Sequence, residues 1–149
     1  MSQNSKNYAK VLHKLFGIPL KYFEKTCFIE TRKAVRITSN EYLEEASLLG
    51  ATSGVKILKK GKFLNPSSNI VFLFFKKLKG KGIELNKTEL IELFEKGKIK
   101  KSIGKKGYAV VTYNSLPLAL VFLKDDGIEC MMPKEFREEM IVALKEEEK

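Results

Sequence analysis

Lys98, Lys100, Lys101, Lys105 and Lys106 fall within nine residues that hold no acidic side chain. In extended chain, alternate residues project to one side about 6–7 Å apart, so Lys98 and Lys100 match the spacing of neighbouring phosphates. The chemistry on offer is neutralisation of a polyanion, driven by release of its condensed counterions. Lys59, Lys60 and Lys62 form a second basic group around Gly61. Lys134 with Arg137 forms a third, in which the guanidinium suits bidentate contact to a phosphate. Residues 56–106 carry 15 lysines against four glutamates, a net +11, whereas 1–55 carry +3 and 107–149 carry −4. The lysines alternate with apolar residues, as in Val55-Lys56-Ile57-Leu58-Lys59-Lys60, the pattern of a folded charged surface. Lysine-rich faces also confer solubility, and charge alone does not separate RNA from DNA or from an acidic membrane.

Catalytic chemistry finds little support. His13 is the only histidine, and no partner group for it is identifiable, so a surface or packing role is expected. Cys27 and Cys130 lie 103 positions apart with no CxxC or Cys/His grouping, which points to reduced, buried thiols and no metal site. Gly80-Lys81-Gly82 and Gly104-Lys105-Lys106-Gly107 read as turns, since neither matches GxxxxGK[ST]. Asp125 and Asp126 read as turn-formers, with no third carboxylate beside them. Tyr108, Tyr113 and Phe122 have the chemistry to stack bases, but alternation puts the two tyrosines on opposite faces and core packing is expected of each. No cofactor is expected. The N-terminus lacks a signal-like apolar stretch, and the longest apolar run, Ile70–Phe75, is six residues, so a soluble cytoplasmic protein is expected.

These side chains must be positioned by a mixed set of elements. Helical spacing of Leu12, Leu15 and Phe16 predicts a helix over 8–16 that Gly17 and Pro19 stop, followed by a short turn at Tyr22-Phe23. Two short strands, Cys27–Glu30 and Ala34–Thr38, precede a helix Asn40–Leu48 capped by Ser39. Gly54–Lys60 reads as a strand. Asn65-Pro66 reads as the opening of a helix that takes in Ile70–Phe75, with Phe72, Phe74 and Phe75 in the core. Lys79-Gly80-Lys81-Gly82 is the best linker. Beyond it, Asn86 caps a helix with Glu89 in a variant capping box, and Gly97 ends it in the left-handed conformation. Strands Tyr108–Tyr113, Leu118–Leu123 and Ile128–Met132 follow, joined by turns at Asn114-Ser115 and Asp125-Asp126-Gly127. Pro117 is expected at a strand start or on an edge. A final helix is expected over Lys134–Glu147.

In that order, these segments resemble the C-terminal RNA-binding region of Sun-type ribosomal RNA cytosine methyltransferases, a pre-PUA lobe followed by a PUA domain. The likeness runs over residues of roughly 8–137. Leu15-Phe16-Gly17-Ile18-Pro19 with Phe23 resembles the family's opening helix and turn, and Val35–Thr38 its next strand. Lys59-Lys60-Gly61-Lys62-Phe63 with Pro66-Ser67 is similar to a segment reading KKGRF…PSH. Leu85–Ile99 resembles the helix that opens the PUA domain. Gly107-Tyr108-Ala109-Val110-Val111 with Leu116-Pro117-Leu118 resembles its hairpin, and Pro133-Lys134-Glu135-Phe136-Arg137 its closing PKGLR. Ala119 and Val121 stand where the family has glycines, side chains that leave less room for a close backbone approach. No glycine-rich S-adenosylmethionine loop is present.

The resemblance implies an α+β chain with a pre-PUA-like domain over 1–79 and a PUA-like β-barrel domain with a C-terminal helix over 80–149. It implies a non-catalytic RNA-binding protein, accessory to modification of ribosomal or transfer RNA or to ribosome biogenesis. The competing expectation is an adaptor for an RNA-modifying enzyme or pre-ribosomal protein, or a non-catalytic methyltransferase subunit. Neither expectation involves a membrane.

Overall fold

The computed structural model describes residues 3–39, 54–78 and 82–147, which divide into two compact units, Met1–Leu73 and Phe74–Lys149. The expected helix Asn40–Leu48 and most of the expected linker, 79–81, lie outside the described residues.

In the first unit, helix α1 (Gln3–Phe16) turns Tyr8, Leu12 and Phe16 inward at intervals of four, the helical repeat. Gly17 ends it with φ +71°, and its N–H bonds the His13 carbonyl at 2.8 Å. The His13 Nδ1–H donates to the Ile18 carbonyl at 2.9 Å, tying the helix end to the segment it leads into. A 3₁₀ turn (Leu20–Phe23) follows, and its Phe23 is fully buried. Strands β1 (Thr26–Glu30), β2 (Ala34–Ser39), β3 (Val55–Lys60) and β4 (Leu64–Pro66) form an antiparallel meander in that order.

The helix start expected at Asn65-Pro66 is displaced. Asn65 and Pro66 pair with Lys59 and Leu58 as the edge strand β4, where a missing N–H costs no ladder bond on the outer side. Ser67 takes over the capping role, its hydroxyl accepting from the Asn69 N–H at 3.3 Å, and α2 runs only Asn69–Leu73. The apolar run then breaks at Phe74, and α3 (Phe75–Leu78) belongs to the second unit. Phe74 is core, but Phe72 and Phe75 are 55% and 39% exposed, against expectation. Six consecutive residues cover more than a full helical turn, so they cannot all turn inward.

In the second unit, β5 (Ile83–Glu84) leads to α4 (Lys87–Lys96), then β6 (Lys98–Ile99), β7 (Gly107–Tyr113), β8 (Leu116–Leu123), β9 (Ile128–Cys130) and α5 (Lys134–Glu146). The sheet order is β5-β7-β8-β9-β6, and only β5 and β7 pair in parallel. The Asn86 capping box forms in both directions, with Glu89 N–H to Asn86 at 2.8 Å and Asn86 N–H to Glu89 at 3.1 Å. Asn114 and Ser115 turn the hairpin with φ of 50° and 67°, the two left-handed residues that a two-residue hairpin loop requires. Glu84 steadies that strained pair by accepting from both N–H groups, at 2.7 and 2.9 Å. Pro117 lies in β8 at a register shift, opposite Thr112, in a part of the strand that β9 does not reach. The chain is α+β, as expected.

Candidate nucleic-acid interface

Strand register assembles a surface in the second unit. Tyr108 pairs with Phe122, Phe122 with Glu129, and Glu129 with Lys98, so four strands contribute one row. Directly opposed residues share a sheet face, so these four side chains project together. The adjacent row, Gly107, Leu123, Ile128 and Ile99, projects the other way, and its three large side chains are buried. The Tyr108 and Phe122 rings meet edge to face, 4.9 Å between centroids, and both are half-buried.

Lysines surround this row. Lys98 and Lys100 are exposed on either side of buried Ile99. Both line an open cleft of about 470 Å³ with Lys96, Lys124, Glu92 and Asp126. Lys96 pairs with Glu92 at 3.3 Å and Lys124 with Glu129 at 2.6 Å. The Glu129 carboxylate at its ammonium raises the Lys124 pKa, keeping it charged. With those pairs cancelled, Lys98 and Lys100 stand against Asp126, and the cleft keeps a net charge of +1. Among the described residues, no carboxylate lies within ion-pair range of Lys98, Lys100 or Lys105.

The other expected positions divide. Lys101 binds Glu89 at 2.5 Å, and that contact holds the Glu89 carboxyl below the usual range. Its ammonium is held against Glu89, the carboxylate of the capping box. Lys106 reaches Asp125 at 3.1 Å, though both side chains are more than 70% exposed. Lys134 lies 3.8 Å from Glu138, one helical turn on. Arg137, the expected phosphate clamp, lies against α4. Its Nη1 donates to the Phe94 carbonyl at 3.4 Å, and its Nε is buried without a partner among the described residues. The guanidinium thus serves the C-terminal end of α4, where the helix dipole favours a cation.

In the first unit, Lys60 binds Glu30 at 2.8 Å, while Lys59 and Lys62 are exposed at the β3–β4 hairpin. Sequence reasoning misses Lys96 and Lys124 as neighbours of the Lys98 segment. It also gives Tyr108 and Phe122 to the core. Their signal is present in the hairpin: a two-residue turn at Asn114-Ser115 fixes which residues face each other. Ala119 and Val121 are fully buried, so both fill the core at the positions where the resembled family has glycine. No group of three metal-ligating side chains occurs among the described residues, and no helix there is long and apolar enough to cross a membrane. No protein-family model matches the chain, and no curated protein matches it in sequence.

Proposed function

We propose that this is a non-catalytic RNA-binding protein of the PUA type, accessory to ribosomal or transfer RNA modification or to ribosome biogenesis. The observation that carries the proposal is the sheet row Tyr108–Phe122–Glu129–Lys98, in which Glu129 is paired by Lys124 and Lys98 shares a cleft with Lys100. Lysines supply sequence-independent attraction to phosphates, and half-exposed rings supply a surface on which unstacked bases rest. The PUA assignment draws support from order: the helix at 87–96, the hairpin at 107–123 and the closing segment from Pro133 follow one another within one compact unit. Fluorescence anisotropy with a structured RNA across a salt series tests it. Affinity falling with salt at about −0.7 to −0.9 per phosphate contacted is expected, and a flat response refutes it.

A second reading, an adaptor or a non-catalytic subunit of an RNA-methyltransferase complex, is favoured by the exposure of Phe72 and Phe75. An association with a modification enzyme that survives ribonuclease treatment and is lost in Phe72→Ser would support it over RNA binding.

A further inference from the structure

Phe63 is the most exposed large apolar side chain among the described residues, at 70%. It lies at the tip of the β3–β4 hairpin, where four lysines (56, 59, 60 and 62) and no acid occur between Val55 and Asn69. A ring this exposed gives up most of the burial that stabilises apolar side chains, so it contributes little to the fold. The hairpin beneath it is firmly held. Buried Leu58 pairs with Pro66, and the next pair outward is Lys59 with Asn65. The Lys60 N–H bonds the Lys33 carbonyl at 2.9 Å, and the Ser67 N–H bonds the Ile57 carbonyl at 2.8 Å. Lys60 is further fixed by its ion pair to Glu30 at 2.8 Å. A rigid base presenting an exposed ring is preorganised for contact, because little order remains to be imposed on binding.

We propose that Phe63 is a stacking platform for an unpaired nucleobase, with Lys59 and Lys62 holding the phosphates on either side of that base. The inference rests on the RNA-binding reading above and assigns the first unit a base contact of its own. Charge complementarity selects the occupant. Lys62 Nζ lies 5.8 Å from the ring centroid, so the platform has a positive charge beside it. An apolar protein surface would have to desolvate these ammonium groups without return, whereas a single-stranded nucleic acid brings a π-face and phosphates together.

The chain contains no tryptophan, so Phe63→Trp places a unique fluorophore at the tip. Titration with a short single-stranded RNA is expected to quench that fluorescence, as base stacking does, while the matching duplex leaves it unchanged. Phe63→Ala is expected to weaken single-strand affinity about five- to one-hundred-fold, with Phe63→Tyr near wild type. The melting temperature of Phe63→Ala should match wild type, since the side chain is exposed. Wild-type affinity in Phe63→Ala, with RNA binding otherwise intact, overturns this inference alone. If the wild type binds no RNA, the parent reading falls and takes this one with it. Loss of binding to anionic phospholipid vesicles in Phe63→Ala, with RNA affinity untouched, would assign the tip to a membrane surface and overturn it as well.

Discussion

Replacing Lys98, Lys100 and Lys105 together by alanine isolates the electrostatic part of the proposed interface. For a single strand, each phosphate contact contributes about −0.7 to the slope of log affinity against log salt concentration. If each of the three ammonium groups meets one phosphate, the slope becomes shallower by about 2. At ~0.1 M monovalent salt this corresponds to a loss of about a hundredfold in affinity, and near ~1 M the loss vanishes. Stability should hardly change. The three side chains are exposed and meet no carboxylate among the described residues, so the unfolding free energy should shift by about 0.5 kcal/mol or less. Anisotropy titrations over a potassium chloride series give the slope, and urea unfolding gives the stability. Lys101→Ala is the internal control: its ammonium is committed to Glu89, so the slope should stay close to wild type. A folded triple variant with an unchanged slope refutes the assignment of phosphate contacts to this segment.

Gly127→Ala tests placement without removing charge. A methyl group there would lie 2.8 Å from the Ile99 carbonyl oxygen, so β6 must shift, at a cost of about 1–3 kcal/mol in urea unfolding and with weaker RNA binding. Asp125→Asn releases Lys106 from its ion pair, and a steeper salt slope by about one contact's share is expected in the same titrations. Glu84 supplies a pH test. Its carboxyl is held below the usual range mainly by the Ser115 N–H, then by the Thr112 hydroxyl and the Asn114 N–H. A depressed folded pKa means that its contribution is complete above the unfolded value of about 4.3 and is lost as pH falls through the lower folded one. The urea midpoint should therefore fall below about pH 4.3, and Glu84→Gln should flatten that part of the profile.

Local signals are legible where one residue type has one physical use. Asn86, Glu89 and Gly97 bracket α4 because only such residues satisfy the loose N–H and carbonyl groups of its ends. The exposure of Lys98 and Lys100 on either side of buried Ile99 follows from the strand period alone. Legibility fails where the outcome depends on a distant partner. Asn65-Pro66 carries a genuine helix-opening signature, yet pairing with β3 outcompetes it, and nothing within the local sequence encodes that pairing. Tyr108 and Phe122 read as core because each strand is apolar by itself. Four-strand register brings Glu129 and Lys98 into line with these half-buried rings.

Counting lysines overstates the charge available to a ligand, and the ion pairs show by how much in each case. Glu30 and Asp125 lie outside the 56–106 window that holds Lys60 and Lys106, and Glu89 lies inside it but 12 residues from Lys101, so a window of sequence does not show which lysines are paired. The pairs are not equivalent, however. Lys101–Glu89 is built into a capping box, so breaking it also disturbs the start of α4. Lys106–Asp125 is exposed on both sides, and solvent screening makes such a pair worth about 0–1 kcal/mol. An arriving phosphate can exchange with Asp125 at little cost, whereas Glu89 holds its lysine through the geometry of the helix. In the proposed interface the lysines of this segment without a carboxylate partner among the described residues are Lys98, Lys100 and Lys105, while Lys106 and Lys101 each start from an ion pair. This division is set by which carboxylates fold beside the lysines and would survive any rearrangement of the lysine count itself.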